Sequence, residues 1–133
     1  MSKCRNTKVT VDGIEFDSKR EARRYRELSL LQKAGKIHNL EMQKVFELIP
    51  AQYELVNTGE YYKIGAKKGQ PKQKRVCVEQ SVVYKADFTY IENGKIVVED
   101  AKGFRDPKSA VYAKFVIKRK LMLYIHGIRI IET

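Results

Sequence analysis

Three charged side chains sit where a short hairpin would bring them together. Asp87 precedes the dipeptide Asn93-Gly94, and Asp100 and Lys102 follow it. Asn-Gly between alternating apolar residues is the strongest short-range signal for a two-residue β-hairpin turn. With Asn93 and Gly94 as the turn, Glu92 pairs with Lys95, and counting outward puts Asp87 opposite Asp100. Directly opposed residues share a face, with Cβ atoms roughly 4.5–5.5 Å apart. Residues two apart on one strand also share a face, so Val98 and Lys102 join Asp100, while Val97, Glu99 and Ala101 turn the other way. Two carboxylates at that separation repel each other. A divalent cation relieves the repulsion, and oxygen-only ligation suits Mg²⁺ or Mn²⁺ rather than zinc. A lysine beside the pair can orient water or stabilise developing negative charge. The chemistry within reach of this trio is metal-assisted hydrolysis. The plain alternative is a solvated acidic patch with a lysine partner.

The elements that must position the trio can be read from spacing. Val9 and Val11, the Asp12-Gly13 turn, then Ile14 and Phe16 form a short hairpin. Ser18 is an N-cap for a helix with Ala22, Tyr25, Leu28 and Leu31 at helical spacing, and Gly35 ends it. Its outer face carries Lys19, Arg20, Arg23, Arg24 and Arg26. Residues 40–49 and 53–56 read as strands. Residues 57–75 are basic and rich in turn formers, and read as a long flexible loop or hairpin tip. That segment is either a solvated loop or a flap on phosphate, with Lys67 and Lys68 as contacts and Tyr61 and Tyr62 free to stack on bases. Residues 76–91 form a long strand or two strands with a break, and Lys95–Lys102 is the return strand of the Asn93-Gly94 hairpin. Asp106-Pro107 starts a second helix, with Ala110, Ala113, Ile117, Leu121 and Tyr124 on its apolar side. Gly127 ends it, and residues 128–131 make a last strand. The order predicts an α/β (α+β) fold, a single domain with a central mixed β-sheet flanked by helices.

Composition narrows the partners. The chain has 133 residues and 43% hydrophobic content, which suits one globular domain over 1–133. No apolar run reaches the length of a membrane span, and the first residues contain no secretory h-region, so an intracellular protein with no membrane partner is expected. Cys4 and Cys77 have no metal-ligand or redox spacing and read as unpaired thiols in a reducing compartment. His38 and His126 are isolated. Twenty-seven Lys and Arg against 16 Asp and Glu give a net charge of +11, a field that draws polyanions, DNA first.

Motif and context together carry a resemblance. Asp87…Asp100-Ala101-Lys102, on the two strands of one hairpin, resembles the signature of PD-(D/E)XK nucleases, the superfamily of restriction enzymes, recombination exonucleases and Holliday-junction resolvases. Ala86 stands where that signature has proline. Four segments are similar, in order, to a phage-encoded family of small endonucleases. They are Gly13-Ile-Glu-Phe16-Asp-Ser-Lys-Arg-Glu21-Ala, Gln43-Lys-Val-Phe46-Glu-Leu-Ile-Pro50, Tyr84-Lys-Ala-Asp-Phe88, and Val97-Val-Glu-Asp-Ala-Lys-Gly103. In that order the resemblance runs over most of the chain outside 57–75. The resemblance implies a restriction-endonuclease-like core and Mg²⁺- or Mn²⁺-dependent hydrolysis of DNA phosphodiesters. It implies Asp87 and Asp100 as metal ligands, helped by the Ala101 carbonyl and by Glu21 on the first helix. Glu21 also fits a capping box with Ser18. Glu99, turned away, and Gln43, on a neighbouring strand, are further residues to watch.

Arg20, Arg23, Arg24, Lys114, Lys118 and Arg119 are candidates for DNA-backbone contacts. Such contacts carry no base code. Branched or structured phage DNA is then the expected substrate, in the host cytoplasm. A junction resolvase cuts two strands symmetrically and needs a dimer, which leaves a homodimer open. Two other classes remain beside the nuclease: a non-catalytic nucleic-acid-binding protein keeping the same fold, and an assembly or inhibitor protein acting through protein contacts.

Overall fold

The computed structural model describes residues 7–102 and 105–133. Expectations for Cys4, Gly103 and Phe104 lie outside the described residues. The chain forms two compact units. One comprises the residues up to Phe46 together with Tyr84–Thr133, and the other comprises Glu47–Val83. Among the described residues, no helix is long and apolar enough to cross a membrane.

The first unit opens with a hairpin of β1 (Val9–Val11) and β2 (Ile14–Phe16). Its turn residues Asp12 and Gly13 both take positive φ, as a type I′ turn requires. Helix α1 (Lys19–Lys33) follows, with the Ser18 hydroxyl accepting from the Glu21 amide at 3.1 Å. At its other end Gly35 takes φ +74°, and the amides of Gly35 and Lys36 donate back to the Gln32 and Leu31 carbonyls. This is the glycine-dependent stop expected of the sequence. Ala22 and Leu28 are buried and Tyr25 is half-buried, whereas Leu31 is exposed.

A four-stranded mixed sheet in the order β10-β9-β8-β3 forms the centre of this unit. Strand β3 is His38–Met42, β8 is Phe88–Glu92 and β9 is Lys95–Asp100. Strand β10 is only Ile131–Glu132, sharing just Ile131 with the stretch expected at 128–131, and it runs parallel to β9. Strands β8 and β9 pair in the expected register, Glu92 with Lys95 through Phe88 with Glu99. Phe88 and Tyr90 point toward α1 and build a core with Phe16, Ala22, Leu28 and Ile37.

Strands β4 (Val45–Ile49) and β7 (Val82–Lys85) pair as a two-stranded ribbon, through which the chain passes between its units. The second unit holds β5 (Gln52–Tyr61) and β6 (Pro71–Glu79), paired antiparallel. Of the segment expected at 57–75 as a flexible loop or hairpin tip, both ends are strand and residues 62–70 form the tip between them. Polar side chains hid the strands, because neither face is buried and no apolar alternation marks them.

Helix α2 is Ala110–Leu121, capped by the Ser109 hydroxyl, and a π-helical turn at Met122–His126 continues it to Gly127 at φ +67°. It does not start at Asp106-Pro107. Asp106 instead accepts from the Lys108 and Ser109 amides and closes a turn. The inward face also differs from the expected one. Phe115 and Met122 are buried, while Ile117 is 61% and Tyr124 88% exposed. Apolar residues occur on both sides of this helix, so their spacing alone could not fix which side turns inward.

Glu99 is the most telling core residue, being 1% exposed and charged. The Arg24 guanidinium grips it through Nε and Nη2 at 2.7 and 2.8 Å, and the Tyr90 hydroxyl donates to it. Removing one partner of a buried ion pair strands the other charge. Arg24→Met should therefore lower stability by about 3 kcal/mol, read as a drop in urea midpoint at unchanged m-value. A change under about 0.5 kcal/mol would mean the pair is dispensable.

Candidate active site

The site grows from the open end of the β8–β9 hairpin. Asp87 lies one residue outside β8, and its Oδ2 accepts from the Ala101 amide at 2.8 Å. This cross-strand bond fixes Asp87 beside the segment carrying Asp100 and Lys102. Asp100 is 4% exposed. Its Oδ1 pairs with Lys102 Nζ at 2.8 Å and its Oδ2 accepts from the Tyr84 hydroxyl at 2.6 Å. The Lys102 ammonium also lies 4.0 Å from the centre of the Phe115 ring, so α2 supports the lysine from beneath.

The carboxylates sense one another. Asp87 is pushed up to about 7 by burial first, then by repulsion from Asp100 and Glu21, with the Ala101 amide and Lys102 opposing. Glu21 is also raised, by burial, Asp17 and Asp100, against Lys102 and Ser18. Three carboxylates from α1, the β8 end and β9 thus share one field with a single ammonium. Tyr84 is held above the ordinary phenol range by burial and by the Asp100 carboxylate it serves.

Gln43 is exposed and sits between β3 and β4 in a left-handed conformation, φ +59°. Its amide donates to the Asp87 carbonyl at 3.3 Å and its Nε2 to Asp87 Oδ1 at 3.4 Å. Asp87, Asp100, Lys102 and Gln43 are therefore brought together, and Glu21 joins through its field. Glu99 is not part of the group. It faces α1, as alternation requires, and serves the ion pair with Arg24.

The basic residues divide. Arg20, Arg23 and Lys114 are exposed. Arg24 was expected on phosphate but is committed to Glu99 and Glu27. Arg119 bonds Glu132 at 3.1 Å and Lys118 is half-buried. Reasoning from sequence missed Tyr84 and Phe115. Strand alternation groups Tyr84 with Ala86 and Phe88, away from Asp87. Ala86 and Asp87 belong to neither strand, however, and the break lets Tyr84 reach Asp100.

Oxygen donors fit a hard divalent cation, which binds through one or two carboxylates and retains several waters. Among the described residues, no three His, Cys, Asp or Glu side chains form a ready-made cage. A cation here would rest on the Asp87–Asp100 pair, with water completing its shell. A profile for the family described as "Protein of unknown function (DUF1064)" matches residues 1–128. The chain belongs to the DUF1064 family. No curated protein and no solved structure matches it. The family profile spans Glu21, Gln43, Tyr84, Asp87, Asp100 and Lys102 alike.

Without divalent cations, folded Asp87 keeps a proton that the unfolded chain releases near pH 4. The folded state then binds more protons than the unfolded one, so stability falls as pH rises from about 4 through about 7. Asp87→Asn should flatten that slope in EDTA and add about 2 kcal/mol at pH 8. Urea titrations of both proteins at pH 5 and pH 8 measure it. Equal slopes would remove Asp87 as the source.

Proposed function

We propose that this DUF1064 chain is a metal-dependent endodeoxyribonuclease with a PD-(D/E)XK active site and a restriction-endonuclease-like core. The observation that carries the reading is the charge imbalance at the hairpin mouth. Glu21, Asp87 and Asp100 share one field, and Lys102 is the cation that opposes it, helped by the Ala101 amide and the Ser18 hydroxyl. A structural acidic patch gains nothing from burying such a group, whereas a cation site requires it.

Asp87 and Asp100 would hold a Mg²⁺ or Mn²⁺ ion, with the Ala101 carbonyl and Glu21 as further oxygen donors. When bound, the ion supplies a water of lowered pKa and neutralises charge on the scissile phosphate. The chain's own residues do the positioning. The Ala101 amide and Gln43 hold the Asp87 carboxylate in place, and the Tyr84 hydroxyl holds Asp100. Lys102, 23% exposed at its side chain and backed by the Phe115 ring, presents a partly desolvated positive charge. Such a charge stabilises the phosphate as negative charge builds in the transition state. Arg20, Arg23 and Lys114 can meet the sugar–phosphate backbone, which orients DNA without reading bases. We propose branched or structured DNA intermediates, such as those of phage replication, as the substrates, because backbone contacts carry no base code.

A second reading is a DNA-binding protein that keeps the fold without hydrolysis. The lack of a three-donor cage among the described residues favours it. One assay separates the two. Four-way junction, flap, duplex and single-stranded DNA are incubated with the protein and Mg²⁺, Mn²⁺ or EDTA. Cutting should require the metal and fall about a hundredfold or more in Asp100→Ala and Lys102→Ala, with binding retained. Binding without cleavage under every ion would select the second reading.

A further inference from the structure

The β5–β6 ribbon of the second unit has an unusual form. Its longer strand has ten residues, which span about 30 Å. Only Val56, Lys72 and Val76 along it are even half-buried. A two-stranded ribbon with both faces in water is marginal on its own. Pairing continues past the strands, with Tyr62 and Gly69–Gln70 bonded across the tip.

Its side chains are sorted. Residues 61–75 contain six Lys or Arg and no Asp or Glu. Glu54 and Glu79 lie toward the root, and Glu60 is the carboxylate just before the tip. Pairing of Leu55 with Arg75 and Asn57 with Gln73 places Tyr53, Leu55, Asn57, Gln73 and Arg75 on one face. On that face the Arg75 guanidinium stacks 3.6 Å from the centre of the Tyr53 ring, and Gln73 Nε2 donates to Asn57 Oδ1 at 3.2 Å. Lys72 and Lys74 belong to the opposite face, and Lys67 and Lys68 to the tip.

Arginine, asparagine and glutamine are the side chains that form bidentate contacts with base edges, and lysines at the margin suit phosphates. The B-DNA major groove, about 12 Å wide, admits a two-stranded β-ribbon. The major groove of A-form RNA is too narrow and deep for side chains to read. We infer that the β5–β6 ribbon enters the major groove of B-form DNA, with Arg75, Gln73 and Asn57 toward base edges and Lys67 and Lys68 on phosphates. This deepens the nuclease reading by naming duplex DNA as what the second unit holds, and it adds a base preference that the helix arginines cannot supply. The contact itself needs no hydrolysis.

The test is binding by the full chain in EDTA, where nothing is cut. Fluorescence anisotropy compares a labelled DNA duplex with an RNA duplex of the same sequence. Dimethyl sulfate footprinting reports guanine N7, which lies in the major groove. DNA should bind at least about tenfold tighter than RNA, with N7 positions protected. Lys67→Ala/Lys68→Ala should weaken all duplexes alike and reduce the salt slope by about 2. Arg75→Ala should keep the wild-type salt slope and lose protection at a guanine. Circular dichroism checks that both variants fold, and the wild-type footprint stands without them. Equal affinity for RNA and DNA, or unprotected N7, would overturn the groove placement. DNA binding by a wild-type chain that cuts under no ion would sink only the nuclease reading.

Discussion

Two aspartates held across the mouth of one hairpin create the tension around which the first unit is arranged. The fields of Asp100 and Glu21 both work against a charge on Asp87. Each neighbour of the pair answers that tension in part. Lys102 contributes one positive charge, Tyr84 one proton donor and the Ala101 amide another. The remaining imbalance is the feature on which the proposed cation site rests. The fold tolerates this cost because the cohesion of the unit lies on the other face of the sheet. There Phe88 and Tyr90 pack with α1, and Arg24 neutralises Glu99.

The alternation of β9 thus puts two acidic neighbours to opposite uses. Glu99 is fully paired and turned toward α1, where Arg24 and Tyr90 satisfy it. Asp100 is turned to the opposite side, beside Asp87, where Lys102 and Tyr84 bond it. A one-residue slip of the hairpin would exchange these positions and put Asp100 against the core. The Asn93-Gly94 turn, with both residues at positive φ, therefore sets the register and the chemistry together.

That dependence explains what was legible beforehand. The turn dipeptide, period-two alternation and Ser18 cap are local signals, and each led to the right element. The register of β8 and β9 followed by counting. Helix α2 was harder. It has apolar residues on both sides, and the π-helical turn at Met122–His126 shifts the phase at its end, so Tyr124 is exposed. The β5–β6 ribbon was hidden because it is held by backbone pairing and cross-strand polar contacts rather than by a buried face. Tyr84 escaped notice because a two-residue break in chain direction is invisible to alternation.

Strand β10 gives the site an unexpected weakness. Thr133 donates its amide to the Asp100 carbonyl and accepts from the Lys102 amide, both at 2.9 Å. Together with the pairing of Ile131 and Glu132, this covers the otherwise open side of β9 at its acidic end. A proteolytic nick at residues 128–130 would unfasten Lys102. It would also bare a row of unpaired amides and carbonyls, which is a template for strand addition between molecules. Disruption of the candidate site and precipitation would then arrive together, from one cut far in sequence from Asp87.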